Sequence, residues 1–164
     1  MKYMTWLAVM MVLSLSSPCR GQEGGVGTGE IPQAVRDTIV ESAKANHPED
    51  YATQLFVVRR QTEAYRRLAR FSDAPGIPQP VFSRIRNRAS ENHPDDYSTQ
   101  LFVVNRQIAA YRALEKLSAP PPGVAGSDFF AIKAKAKSDH PDDYSTQLFV
   151  IQRQIAAYKR MRNQ

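Results

Sequence analysis

Three histidines are the residues of this chain best suited to chemistry, because an imidazole can bind a metal ion or carry a proton. His47, His93 and His140 are each followed by proline, an acidic pair and tyrosine. Three histidines that converge could ligate zinc, as in some catalytic sites. Each one, however, stands before a proline at a predicted turn, and nothing in the intervening segments would bring the turns together. We therefore expect the histidines to serve the turns, and the sequence indicates no metal and no other cofactor.

The acidic pairs beside the histidines are the next candidates, since two carboxyl groups can divide general acid and general base work. Asp95 and Asp96 are adjacent in sequence, and adjacent side chains on a helix project in different directions. The sequence after residue 22 also contains no cysteine, no Gly-x-Ser-x-Gly motif and no glycine-rich phosphate loop. We expect a protein that is not an enzyme.

The histidines belong to a repeat that occurs three times, at spacings of 46 and 47 residues. Of the 19 positions from each histidine to the tyrosine at Tyr65, Tyr111 or Tyr158, 13 are identical in all copies. In the second copy the identical residues are His93, Pro94, Asp96, Tyr97, Thr99, Gln100, Leu101, Phe102, Val103, Arg106, Gln107, Ala110 and Tyr111. Such self-similarity is typical of a tandem repeat architecture.

The residues before each histidine predict a helix with one apolar face, as at Phe82, Ile85 and Ala89 in the second copy. Proline disfavours helix at the residue before it, so the histidine should end this first helix. We expect Pro94 to be the first residue of a second helix, with Asp95 and its neighbour in the first turn, where acidic side chains oppose the helix dipole.

The second helix carries an apolar seam spaced four, three, four and three residues apart. The seam residues of the second copy are Tyr97, Leu101, Val104, Ile108 and Tyr111. This spacing predicts that each copy is an αα-hairpin closed along its seam. The expected fold is all-α, with three tandem αα-hairpin repeats joined by proline-rich linkers. The predicted segments are a signal peptide at 1–22, a glycine-rich spacer at 23–33, repeats at 34–71, 81–117 and 128–164, and linkers at 72–80 and 118–127.

A second face of the second helix is also identical among the copies, at Phe102, Val103, Arg106 and Ala110. A helix that is apolar on two sides is buried on two sides, so this face either packs one hairpin against the next or displays a binding surface three times. Glutamines at Gln54 and Gln61, and at the equivalent positions, either join helices or contact a ligand. The candidate binding residues are Phe56, Arg60, Gln61, Phe102, Arg106, Gln107, Phe149, Arg153 and Gln154.

Basic residues raise the alternative of a polyanion as partner. Those before the second and third histidines are spaced by two, which scatters them around a helix; they are Arg84, Arg86, Arg88, Lys133, Lys135 and Lys137. A phosphate-binding stripe would recur at three or four, so the sequence argues against nucleic acid. The basic positions that do repeat include Arg60, Arg106 and Arg153, and these leave binding to an acidic polymer as an alternative.

The amino end predicts export. Lys2 precedes a short apolar run at 6–13, which is followed by small residues, as in a signal peptide cleaved between Ser17 and Gln22. The run is too short for a membrane span, and Pro18 before Cys19 argues against lipid anchoring at that cysteine. Residues 23–164 carry 20 basic and 16 acidic residues, a net charge of only +4.

The string Pro-Asp-Asp-Tyr-Ser-Thr-Gln-Leu-Phe-Val-Val, followed by Arg-Gln and Ala-Tyr, resembles a short helical module of bacterial proteins without an assigned activity. The resemblance implies an envelope or secreted setting and no catalytic residue. Together these observations predict a secreted or periplasmic binding or scaffolding protein whose partner is another protein or an envelope component. Self-assembly through the seam is the remaining alternative.

Overall fold

The computed structural model describes residues 30–162, and all regular structure in this range is helical. The six helices are α1 (Gln33–Asn46), α2 (Tyr51–Arg70), α3 (Gln79–Asn92), α4 (Tyr97–Lys116), α5 (Gly126–Asp139) and α6 (Tyr144–Arg162). Packing joins α1 to α2, α3 to α4 and α5 to α6. The predicted all-α fold of three helix pairs is therefore confirmed.

The three pairs form one array rather than separate units. The second helices make the contacts between pairs, since α2 packs against α4 and α4 against α6. Gln61 in the middle of α2 lies beside Ser98 in the first turn of α4, and Leu68 near the end of α2 lines the same cavity as Val104 farther along α4. The second helices thus run in the same direction with a stagger, and α4 is the central element.

The best-buried cluster lies in the middle pair. Phe82, Ile85 and Ala89 of α3 pack with Val104 and Ile108 of α4, and each is at most 5% exposed. These are the apolar faces that the spacing predicted.

The connections between pairs also contribute to the core. Ile77 belongs to the same cluster although it lies in the segment predicted as a linker. Ile31 and Val124 are buried just before α1 and α5, as Ile77 is before α3. Gly76, next to Ile77, has a φ of 79°, a conformation that glycine adopts at little cost. Each unit therefore begins with a buried aliphatic residue that was not recognised in the sequence.

The two ends of the apolar seam have a different role from the one predicted. Val104 and Ile108 close the α3–α4 pair as expected. The tyrosines instead meet tyrosines of neighbouring units: Tyr65 contacts Tyr97 edge-on at 5.0 Å, and Tyr111 contacts Tyr144 in the same way at 5.1 Å. The tyrosines at the ends of the seam therefore also join units, while the middle of the seam closes the α3–α4 hairpin.

The predicted start of the second helix was wrong by three residues. Pro94 lies in the turn, and α4 begins at Tyr97. Asp95 adopts a left-handed conformation with a φ of 62°, as do Glu49 and Asp142 in the other turns. Asp96 is the N-cap residue rather than part of the first turn. An aspartate is preferred at the N-cap because its side chain accepts a hydrogen bond from a free helix N–H, and this preference outweighs that of proline for the first helical position.

Several predicted boundaries differ slightly from the helices. Helix α1 begins at Gln33, inside the predicted spacer, and α3 and α5 begin at Gln79 and Gly126, inside the predicted linkers. Pro80 is accommodated because the first turn of a helix does not use its backbone N–H groups. The predicted signal peptide, Cys19 and most of the spacer lie outside the described residues. None of the helices within 30–162 combines the length and hydrophobicity that a membrane crossing requires.

Two phenylalanines provide a test of this core. Phe82 is 1% exposed and Phe102 is 63% exposed. We expect Phe82→Ala to lower the free energy of unfolding by about 3–5 kcal/mol, because it opens a cavity. Phe102→Ala should change it by no more than about 0.5 kcal/mol, as is usual at a surface position. Urea unfolding followed by circular dichroism would measure both, and equal losses would contradict the assignment of Phe102 to the surface.

Candidate binding surface

The turn between the paired helices uses five of the repeated residues. In the second turn the backbone N–H of His93 donates to the carbonyl of Ala89, which ends α3. The Asp96 carboxylate accepts from the N–H of Thr99 at 3.0 Å and from its hydroxyl at 2.6 Å. The Gln100 amide donates to the His93 carbonyl at 2.7 Å. The other two turns repeat these bonds, so the histidine, aspartate, threonine and first glutamine of each copy shape the turn, and the proline lies within it.

The histidines therefore lie where the turns need them. His47, His93 and His140 are the C-cap residues of α1, α3 and α5. Within residues 30–162 no group of three or more His, Cys, Asp or Glu side chains is arranged to hold a metal ion. The structure gives the backbone of each histidine a defined role at the end of its helix.

The second glutamine of each repeat reaches the next repeat. Gln61 donates its amide N–H to the Asp96 carboxylate at 2.8 Å and accepts from the N–H of Ser98 at 2.9 Å. Gln107 makes the same two contacts with Asp143, at 2.8 Å, and with Ser145, at 3.1 Å. We call this pair of bonds the glutamine clasp. Two of the predicted contact residues, Gln61 and Gln107, thus hold the array together, whereas the equivalent Gln154 is exposed in the described part of the chain.

The clasp changes the acidity of the aspartate that it meets. Burial by itself raises the pKa of Asp143, but the hydrogen bonds from Gln107, Thr146 and Ser145 outweigh it and lower the pKa to about 2. Burial also raises the pKa of Asp96. The hydrogen bonds from Thr99, Gln61 and Ser98 outweigh this effect and hold the pKa well below its usual range. Both aspartates are therefore charged acceptors at neutral pH, which strengthens the bonds they receive.

The basic residues of α3 and α5 also serve contacts between repeats. Arg86 donates to the carbonyls of Phe71, at 2.9 Å, and Leu68, at 3.3 Å, at the end of α2. Lys133, at the equivalent position of α5, donates to the Leu117 carbonyl at the end of α4. A cation is favourable there because the last carbonyls of a helix carry partial negative charge. The sequence contained a signal for this role, since Arg86 and Lys133 align in the repeat.

Two further basic side chains of the second repeat contact the third repeat. Arg84 forms an exposed ion pair with Asp142 at 3.1 Å, and Arg88 donates to the Pro141 carbonyl at 3.1 Å. These two basic side chains therefore also connect the second repeat to the third.

Two repeated positions have no contact of this kind. Phe56, Phe102 and Phe149 are 63%, 63% and 60% exposed, and the arginine four residues after each is exposed as well. In the described part of the chain none of these three arginines has a hydrogen bond or an ion pair. Residues four apart lie on the same side of a helix, so each phenylalanine has its arginine one turn away. We call this set the Phe–Arg stripe; it consists of Phe56, Arg60, Phe102, Arg106, Phe149 and Arg153.

The predicted second face is thus divided between packing and solvent. Ala64 and Ala110 are buried at 4% and 5% exposure, so this part of the face packs one unit against the next as expected. Phe102 and Arg106 are exposed, so at these two positions the face does not pack against another unit. Phe102 lies on a shallow groove between α2 and α4, with Arg60 at its opposite wall. The stripe therefore crosses the boundary between units rather than being confined to one helix.

The lowered pKa of Asp143 predicts how stability depends on pH. A carboxyl whose folded-state pKa is depressed stabilises the fold above the unfolded pKa of about 4, and this contribution is lost as the pH falls to about 2. Asp143→Asn keeps a residue suited to the N-cap but removes the charge. The melting temperature of the variant should lie below that of the wild type at pH 7, and the difference should shrink between pH 4 and pH 2. Glu115→Gln, at an exposed position of α4, controls for net charge; a difference that did not vary with pH would contradict the assignment.

Comparison of the chain with protein-family models, with curated proteins and with solved structures found no match in any of the three.

Proposed function

We propose that this protein is a non-enzymatic binding or scaffolding module that acts in the secreted or periplasmic compartment and captures its partner through the Phe–Arg stripe. One observation carries the proposal. Among the 13 positions identical in all three copies, only the turn proline, the phenylalanine and the arginine are exposed in every copy, and of these only the phenylalanine and the arginine lie on a helix. The turn, the glutamine clasp and the packing of the array account for most of the others.

The chemistry of the stripe suggests what it would bind. An exposed phenylalanine ring gains free energy when a partner covers it, and apolar surface concentrated in one region of a protein commonly marks an interaction site. The neighbouring arginine offers a planar set of donors that suits carboxylates. A protein or envelope component with apolar side chains among acidic ones fits this combination best.

The arrangement of the stripe favours a partner that makes several contacts. The three Phe–Arg pairs lie on α2, α4 and α6, which pack side by side. Neighbouring packed helices lie about 8–10 Å apart. A partner that engages one pair then finds the next at high effective concentration, which raises the overall affinity without any new kind of contact.

The charge distribution supports a protein partner over a polyanion. Arg84, Arg86, Arg88 and Lys133 are engaged in contacts between repeats, and Lys135 pairs with Asp139. Each arginine of the stripe stands one turn from an exposed phenylalanine, and phosphate backbones offer no apolar contact for that ring. If the partner were a polyanion, the affinity would fall steeply as the salt concentration rises. A shallow salt dependence would count against a polyanion as partner.

The stripe can be tested without disturbing the fold. Phe56→Ala, Phe102→Ala and Phe149→Ala combined should abolish capture of the partner from the native extracellular or periplasmic fraction. Helicity and melting temperature should stay close to those of the wild type, because all three rings are exposed. Phe130→Ala is the matched control, since Phe130 is 55% exposed but lies on α5 outside the stripe.

Chains that retain only one of the three Phe–Arg pairs would test the role of repetition. If the pairs act together, a chain with one pair should lose much more than two thirds of its affinity. Capture that survives in the triple variant, with the fold intact, would contradict the proposal. A large loss of helicity in that variant would show instead that the rings belong to the core.

A further inference from the structure

Both interfaces between repeats are built from the same contacts. From the earlier repeat come the clasp glutamine, a tyrosine four residues later and an aliphatic residue three after that; we call these the tail face. In repeat 1 they are Gln61, Tyr65 and Leu68. From the later repeat come the N-cap aspartate, the tyrosine after it and a leucine four residues farther on; we call these the head face. In repeat 2 they are Asp96, Tyr97 and Leu101.

The first repeat has a head face that nothing in the described chain covers. Tyr51 is 77% exposed and Leu55 is 51% exposed. Their equivalents Tyr97 and Leu101, which have a preceding repeat, are half-buried. Asp50 keeps the hydrogen bonds from Thr53 but has no glutamine to meet it.

The tail face of the third repeat is likewise uncovered within residues 30–162. Gln154 is exposed, in contrast with Gln61 and Gln107. Met161 is 69% exposed, whereas Leu68 at the equivalent position is 8% exposed. Tyr158, whose hydroxyl accepts a hydrogen bond from Arg162 at 3.0 Å, occupies the position that Tyr65 and Tyr111 have in the internal interfaces. The two ends of the molecule thus present the two halves of one interface.

We propose that the tail face of one copy docks on the head face of a second copy, so that the array continues from one molecule to the next. The Gln154 amide then donates to the Asp50 carboxylate and accepts from the backbone N–H of Ala52, Tyr158 packs edge-on against Tyr51, and Met161 covers Leu55. An interface between two different faces does not close on itself in a pair, so it leads to chains of molecules or to rings. Each added copy lengthens the Phe–Arg stripe by three pairs.

The charges at the two ends favour this orientation. Residues 30–50, which form α1 and the first turn, contain five acidic and two basic residues. Helix α6 contains four basic residues and no acidic one, and three of the four lie in its last turn. An acidic head therefore approaches a basic tail, and salt weakens the attraction because these residues are largely exposed.

The junction between molecules is weaker than the internal interfaces for three reasons visible in the repeat. Ala52 replaces the serine found at Ser98 and Ser145, so the hydroxyl contact to the clasp glutamine is lost. Arg36 occupies the position of the buried Phe82 and Phe129, and Val40 occupies that of Arg86 and Lys133. Association is therefore reversible and depends on concentration, which suits assembly under control of local protein level.

Sedimentation velocity of the full chain at rising concentration tests the proposal, with one variant for each face. The tail variant combines Gln154→Ala with Met161→Glu, and the head variant combines Tyr51→Glu with Leu55→Glu. All four positions are exposed, and circular dichroism checks that each variant keeps its helices. The wild type should increase in average mass with concentration and dissociate in high salt. Each variant alone should associate roughly tenfold more weakly or not at all.

A mixture of the two variants provides the decisive arm. The head variant retains an intact tail, and the tail variant retains an intact head, so an equimolar mixture should form a one-to-one complex and nothing larger. Phe130→Glu, which changes an exposed apolar residue on α5 outside both faces and outside the Phe–Arg stripe, should associate as the wild type does. A wild type that stays monomeric, association that persists in either variant, or a mixture that forms no complex would each overturn the proposal. Loss of association in Phe130→Glu as well would show that the losses in the other variants are not specific to the two faces, and would also contradict the proposal.

Discussion

The carboxylate that caps each second helix is the interaction on which this array depends. At Asp96 a single side chain accepts hydrogen bonds from Thr99 and Ser98 of its own helix and from Gln61 of the preceding unit. It therefore starts α4, fixes the turn that follows α3 and joins two units at once. Removing a charged group from water is costly, and here that cost is offset because every contact is a donor directed at the charge. The left-handed residue before it allows the chain to turn sharply enough for this geometry.

The same carboxylate explains why the ends of the array differ from its middle. Asp96 and Asp143 each meet a glutamine from the previous unit, and Asp50 does not. In repeat proteins each unit contacts only its neighbours, so stability is close to a sum of unit terms and interface terms. Among the three units that the structure describes, the first and third have one interface each and the second has two. The buried cluster centred on the middle unit, which also includes Leu68 of the first, is consistent with that distribution.

Identity among the three copies therefore has two separate causes in this molecule. The histidine, the aspartate, the threonine and the first glutamine are the same in every copy because every copy forms the same turn. The second glutamine forms the clasp in the first two copies. At Phe102 and Arg106 no such requirement is visible, because both side chains face solvent. The internal alignment alone gives these positions equal weight. Only when the hydrogen bonds and buried contacts are assigned do the phenylalanine and the arginine stand out as residues free to meet a partner.

Several features of this protein followed from the residues alone. Helical spacing of Phe82, Ile85 and Ala89 predicted the buried face of α3, and the histidine–proline step predicted the end of that helix, because both depend on local geometry and on the period of the chain. Other features depended on contacts between residues more than 30 positions apart, which spacing cannot reveal. The sequence placed Gln61 on the same helix side as Gln54, but only the stagger of α2 against α4 gives one a partner in the next unit and the other a partner in its own turn. The same stagger buries Ala110 and leaves Phe102 exposed on one predicted face, since a neighbouring helix covers only part of an apolar surface. Local periodicity thus determined which helices form, and the packing of one unit on the next decided which of their identical side chains remain available for binding.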